Sequence, residues 1–120
     1  MKLCVAIPCF FKNVDFCEAI RKCKELGFEF VETYKWKDLD LAEVRKTLDE
    51  TGITLVSMCT TEFNLTNPEM REKWLDGLRE TCEAAEKLGV KLVHIAACAG
   101  DYSHGSAVSL AQNSHKQMLY

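Results

Sequence analysis

Glu32 is the residue with the clearest capacity for chemistry in this sequence. It alternates with Phe30 and Tyr34 in a β-rich stretch, so the three side chains share one face of a strand. A carboxylate set between aromatic rings can orient a substrate hydroxyl or a polar group behind it. The competing reading is a structural carboxylate paired with an Arg or Lys from outside these 120 residues. Phe10, Phe11, Tyr34, Trp36 and Phe63 fall near the ends of apolar runs. There they suit the dry wall of a small-ligand pocket, or simple packing under loops. Glu32, Tyr34, Trp36, Phe10 and Phe63 form the candidate substrate-binding set.

Other polar residues read more plainly. His94 lies within an apolar run, on the same face as Ala96, and reads as a core histidine rather than a ligand. Asp101 and His104 sit in a Gly- and Ser-rich stretch and read as solvated loop residues, although either type can ligate or clamp. Lys35 and Lys37 flank Trp36 and could meet a phosphate, but no Gly-rich phosphate loop accompanies them. G-x-S-x-G, Walker A and H-E-x-x-H motifs are absent. No catalytic or metal-ligating residue is assigned within the chain.

The seven cysteines are an odd number and none is spaced C-x-x-C, which argues against a zinc site or a disulfide framework. All seven are expected to be reduced, as in a reducing compartment. Cys4, Cys23 and Cys82 read as lying on apolar faces, and Cys9, Cys59 and Cys98 as nearer strand ends and more reactive. The net charge of -3 carries no basic footprint for nucleic acid or an anionic membrane. The apolar run at residues 3–7 is too short for a signal-peptide core or a membrane span, so the cytoplasm is the expected compartment.

The elements that must position these residues follow from a hydrophobic period that switches repeatedly. Short apolar runs at 3–7, 28–34, 53–58 and 91–97 read as strands β1 to β4. Between them, helical spacing marks α1 over 14–26, α2 over 39–48 and α3 over 68–88, with Gly27, Gly52 and Gly89 as stop signals. Asn67 is placed to cap α3 with Pro68 as its first residue. After a loop over 99–113, Ser114 and Gln117 form a capping box that opens α4. Strict β/α alternation implies a parallel sheet with right-handed crossovers, either an open doubly wound sheet or part of a closed barrel. Helix α4 has a start signal and no stop before Tyr120, so residues 1–120 read as one partial domain whose remainder follows.

The wording of these elements resembles the xylose-isomerase-like barrel superfamily, and within it hydroxypyruvate isomerase and related sugar phosphate isomerases and epimerases. The residues that carry the likeness are Gly27-Phe28-Glu29-Phe30-Val31-Glu32 at β2 and Glu43-Val44-Arg45-Lys46-Thr47-Leu48 in α2. Gly52-Ile53-Thr54-Leu55-Val56 leads into β3, and Ala84-Ala85-Glu86-Lys87-Leu88-Gly89 precedes Val93-His94-Ile95-Ala96 and Gly100 at β4. Each phrase is common in α/β proteins; their order and spacing make the resemblance.

The resemblance implies the N-terminal half of a (β/α)₈ TIM barrel, β1-α1-β2-α2-β3-α3-β4 and the start of α4, in a full barrel of about 250 residues. It implies an aldose-ketose isomerase or epimerase acting on a sugar or hydroxy-keto acid through an enediol. A divalent metal, Mg, Mn or similar, is expected for the full-length member, with its ligands and two proton-shuttling glutamates on later strands. This chain alone is then expected to be inactive. One alternative is a metal-dependent AP endonuclease of the endonuclease IV type, with which a negative net charge and Met58-Cys59-Thr60-Thr61 at the end of β3 disagree. The other is a non-catalytic half-barrel or open α/β binding domain. A half-barrel leaves apolar edges, so self-association is expected.

Overall fold

A computed structural model describes residues 1–60 and 68–95. Its strands are β1 (Cys4–Ala6), β2 (Phe30–Thr33), β3 (Thr54–Cys59) and β4 (Leu92–His94). Its main helices are α1 (Phe16–Glu25), α2 (Leu41–Thr51) and α3 (Arg71–Leu88). The capping box at Ser114 and the end of the 91–97 run lie outside the described residues.

Local chemistry sets the element boundaries. The run at 3–7 does not stay extended: Ile7–Phe10 is a single helical turn, and Pro8 occupies its first positions. A proline there surrenders no intrahelical hydrogen bond. The Asp15 carboxylate caps α1 by accepting from the Glu18 N–H at 3.0 Å. Asp40 does the same for α2, accepting from Ala42 and Glu43 at 3.0 and 3.1 Å, so this helix starts at Leu41 rather than at Leu39. Its end is Gly52, in the left-handed region at φ 69°. Pro68 opens a 3₁₀ turn, Pro68–Met70, and α3 proper begins at Arg71.

The four strands form one parallel sheet in the order β1-β2-β3-β4. Right-handed crossovers that always step in one direction put every helix on the same face. A doubly wound sheet must reverse direction to cover both faces, and this one does not. Helix α1 packs on α2 and α2 on α3 along that single layer. Between helices and sheet lies the core, centred on Ile20, Cys23, Val31, Val44 and Met58, with Trp36 among its members. Arg45 ties the layer together: its guanidinium pairs with Asp49 and donates to the Leu88 carbonyl at 3.0 Å, joining α2 to the end of α3. The arrangement is that of the N-terminal half of a TIM barrel, four strands of the eight that close one. No helix among the described residues is long and apolar enough to cross a membrane.

Candidate active site

Strand alternation divides the side chains between two environments. Val5, Val31, Leu55 and Met58 point into the core. Cys4, Glu32, Leu92 and His94 are exposed on the opposite face, which carries no helix among the described residues. That face corresponds to a barrel lumen, and the C-terminal strand ends above it are where barrel enzymes gather their chemistry.

A β-bulge organises the middle of this face. Val31 pairs with Leu55, but the next residue of β2, Glu32, pairs with Ser57. The extra residue, Val56, resets the phase of β3. Ala6, Glu32, Ser57 and Leu92 then form one row across the sheet. The Ser57 hydroxyl donates to Glu32 Oε2 at 3.1 Å. Ser57 is buried while Glu32 is exposed, so the hydroxyl fixes an exposed carboxylate through one of its oxygens. A carboxylate held in this way accepts hydrogen bonds from hydroxyls of a polar ligand.

Tyr34, one step above Glu32, is 44% exposed. The Cys9 thiol, 4.0 Å from its phenol oxygen, holds Tyr34 above the usual tyrosine range, with burial a lesser cause. The phenol therefore stays protonated at neutral pH and is available as a donor. Phe10, in the helical turn packed beside β2, is 76% exposed. Trp36 is placed differently: only 8% exposed, it belongs to the core, and its indole N–H donates to the Cys59 carbonyl at 3.0 Å. Glu32 and Tyr34 are thus exposed at and just beyond the end of β2, Phe10 is exposed in the turn beside it, and Trp36 is held in the core. Phe63, Asp101 and His104 lie outside the described residues.

His94 corrects the sequence reading. It is exposed on the open face rather than buried, because it lies on the edge strand with no opposite wall above it among the described residues. Its carbonyl accepts from Thr60 N–H at 2.9 Å, pinning β4 to the end of β3. Among the described residues, no group of three or more His, Cys, Asp or Glu is arranged to hold a metal ion.

Two cysteine assignments also change. Cys4 and Cys82 are exposed. Cys4 alternates with the core residue Val5, and Cys82 falls off the buried stripe of Trp74, Gly77, Thr81, Ala84, Ala85 and Leu88. Cys17 and Cys23 are buried, and burial raises both thiols above the ordinary cysteine value. Cys4 is raised as well, by partial burial first and then by Glu32. A raised pKa means less thiolate at neutral pH, and the thiolate is the reactive form. Brief alkylation near neutral pH followed by mass spectrometry is expected to label Cys82 first, Cys4 more slowly, and Cys17 and Cys23 last. Raising the pH should accelerate Cys4. Equal labelling of all four would show that α1 does not pack as described.

A family model described as xylose isomerase-like TIM barrel matches residues 20–116. No curated protein matches the chain. Among solved structures, the chain is similar to an AP endonuclease, family 2, from Brucella melitensis, with a TM-score of 0.76 and 17% identity over 98% of this chain and 48% of that one. It is similar to the 3-keto-D-glucoside 4-epimerase of E. coli, with a TM-score of 0.68 and 25% identity over 98% of this chain and 47% of that one. It is also similar to a sugar phosphate isomerase/epimerase from Parabacteroides distasonis, with a TM-score of 0.65 and 15% identity over 78% of this chain and 40% of that one. The chain spans about half the length of the first and second of these structures.

Proposed function

The chain belongs to the xylose isomerase-like TIM barrel family, and from that membership we propose that it is the N-terminal half of a sugar or sugar-phosphate isomerase or epimerase. The reaction is proton transfer through an enediol on a small sugar or hydroxy-keto acid, of the hydroxypyruvate isomerase kind, in the cytoplasm. The observation that carries this reading is the likeness to the E. coli epimerase, at 25% identity over nearly the whole chain. The open face supports it. Glu32, fixed by Ser57, accepts from a substrate hydroxyl, and the Tyr34 phenol donates to a substrate oxygen. Phe10 shields the reacting carbons from water, with Trp36 as the support beneath. In this family a divalent metal supplies polarisation of the substrate oxygens. No ligand set is present among the described residues; on this reading the base and the ligands come from later strands.

Two measurements test the reading. The chain alone, with Mg²⁺ or Mn²⁺ and hydroxypyruvate or common ketoses, is expected to show no turnover. Joined to the C-terminal half of the E. coli epimerase, it is expected to exchange the α-proton of a ketose with solvent deuterium. Glu32→Gln in that chimera should slow exchange by about 10-fold or more, the loss of one charged hydrogen bond to substrate. Cleavage of abasic DNA without any α-proton exchange would replace this reading by the endonuclease one.

A further inference from the structure

Glu32 and Tyr34 flank Thr33, and strand pairing places only the first of them. Strand β2 ends at Thr33. Glu32 is therefore fixed by its row in the sheet, whereas Tyr34 lies one residue past the last pair. Alternation carries on there only if the backbone keeps its course, and the ladder no longer enforces it. Another contact must set the direction in which Tyr34 leaves the sheet.

That contact is the Thr33 hydroxyl. It accepts from the Lys35 N–H at 3.1 Å and donates to the Lys35 carbonyl at 2.7 Å. One side chain thus meets both backbone groups of the residue two positions on, as in turns built by serine and threonine. Tyr34 is the residue enclosed by the two bonds, so its backbone cannot rotate without breaking them. The far side of the turn is held as well. The Trp36 indole donates to the Cys59 carbonyl at 3.0 Å, the Trp36 carbonyl accepts from the Leu39 N–H at 3.0 Å, and Lys37 pairs with Glu80 on α3 at 2.9 Å. At the ring end, the Cys9 thiol lies 4.0 Å from the phenol oxygen.

Thr33 itself is 3% exposed. Valine has the same branched shape and would fill this core position without a hydroxyl to satisfy. A buried hydrogen bond adds little net stability, so the hydroxyl serves the turn more than the core. We propose that Thr33 is a positioning residue of the site, its hydroxyl fixing the turn that holds the Tyr34 phenol ready to donate to a substrate oxygen. The assignment rests on the isomerase or epimerase reading, in which Tyr34 is that donor. A donor ordered before substrate arrives stabilises developing charge without rearranging during the reaction.

The test compares Thr33→Val, which keeps the shape and removes the hydroxyl, with Thr33→Ser, which keeps the hydroxyl. In the 120-residue chain, Thr33→Val should speed hydrogen exchange of the Lys35 amide by about 10-fold or more, with circular dichroism unchanged. Thr33→Ser should leave that amide protected. In the chimera with the C-terminal half of the E. coli epimerase, Thr33→Val should slow α-proton exchange by about 10-fold, as Tyr34→Phe does, and Thr33→Ser should restore it. The double variant Thr33→Val/Tyr34→Phe should be no slower than Tyr34→Phe alone, because Thr33 acts through the phenol. Independent, multiplying losses would show a general structural role and overturn the proposal. So would an unchanged Lys35 amide in Thr33→Val, or undiminished proton exchange in that variant. A chimera that exchanges no proton even with Thr33 and Tyr34 intact overturns the isomerase reading itself, and with it this role for Thr33.

Discussion

Ile20→Ala lowers the free energy of unfolding by about 2–5 kcal/mol, as expected for removing three buried carbons and leaving a cavity. Ile20 is fully buried on α1, in the layer that also holds Cys23, Val31 and Met58. The surroundings have little freedom to collapse: Val31 is locked in the sheet by pairing with Val5 on one side and Leu55 on the other. Total stability for a domain of this size is about 5–15 kcal/mol, so one truncation removes a large share. Leu26→Ala is the control. Leu26 lies just after α1 and is 68% exposed, so its loss should stay within about 0.5 kcal/mol. Urea titration reads both, with the midpoint falling for Ile20→Ala and the slope unchanged. Equal effects at the two positions would mean that α1 does not dock on the sheet through this face.

The second large effect separates two glycines that look alike in sequence. Gly52 and Gly89 each end a helix in the left-handed region, at φ 69° and 72°. Alanine at either costs about 1–2 kcal/mol of backbone strain. At Gly52 the added methyl meets nothing, whereas at Gly89 it lies 2.5 Å from Arg45 Nη1. That nitrogen donates to the Leu88 carbonyl, so Gly89→Ala also displaces the clamp between α2 and α3, a further cost of about 0.5–1.5 kcal/mol. Gly89→Ala should therefore destabilise more than Gly52→Ala. In an Arg45→Ala background the difference should vanish, because the obstructed group is gone. A double-mutant cycle by thermal or urea unfolding measures this coupling; no coupling between positions 45 and 89 would show that the guanidinium does not hold the end of α3.

The alternation of elements was open to reading because it rests on local signals. Gly27, Gly52 and Gly89 announce helix ends through a conformation that other residues avoid, and the periods of the intervening stretches are unambiguous. The helical turn at Ile7–Phe10 was not legible, since Leu3-Cys4-Val5-Ala6-Ile7 is as apolar as any strand and Pro8 marks only where a turn can begin. The candidate site was legible in part. Alternation correctly groups Glu32 with Tyr34 on the face away from the core. It cannot reveal Ser57 as the partner of Glu32, because that pairing depends on a bulge between two strands and not on either strand alone. Trp36 shows the converse. Its type suits a pocket wall, but the turn fixed by Thr33, whose hydroxyl donates to the Lys35 carbonyl at 2.7 Å, delivers it to the core. Cys82 needed only the stripe of α3 to be drawn residue by residue.

The sequential strand order has a consequence for how the chain is made. Each new strand adds to the one synthesised just before it: Phe30 pairs back to Cys4, Thr54 to Phe30, and Val93 to Met58. Among the described strands, each of β2 to β4 finds its first partner already made, and none must be inserted between two already paired. The sheet can therefore grow in the direction of synthesis, with every βα unit closing a short loop onto finished structure while the outer edge of β1 stays open. Short loops are entropically cheap to close, and folds dominated by such near contacts fold quickly.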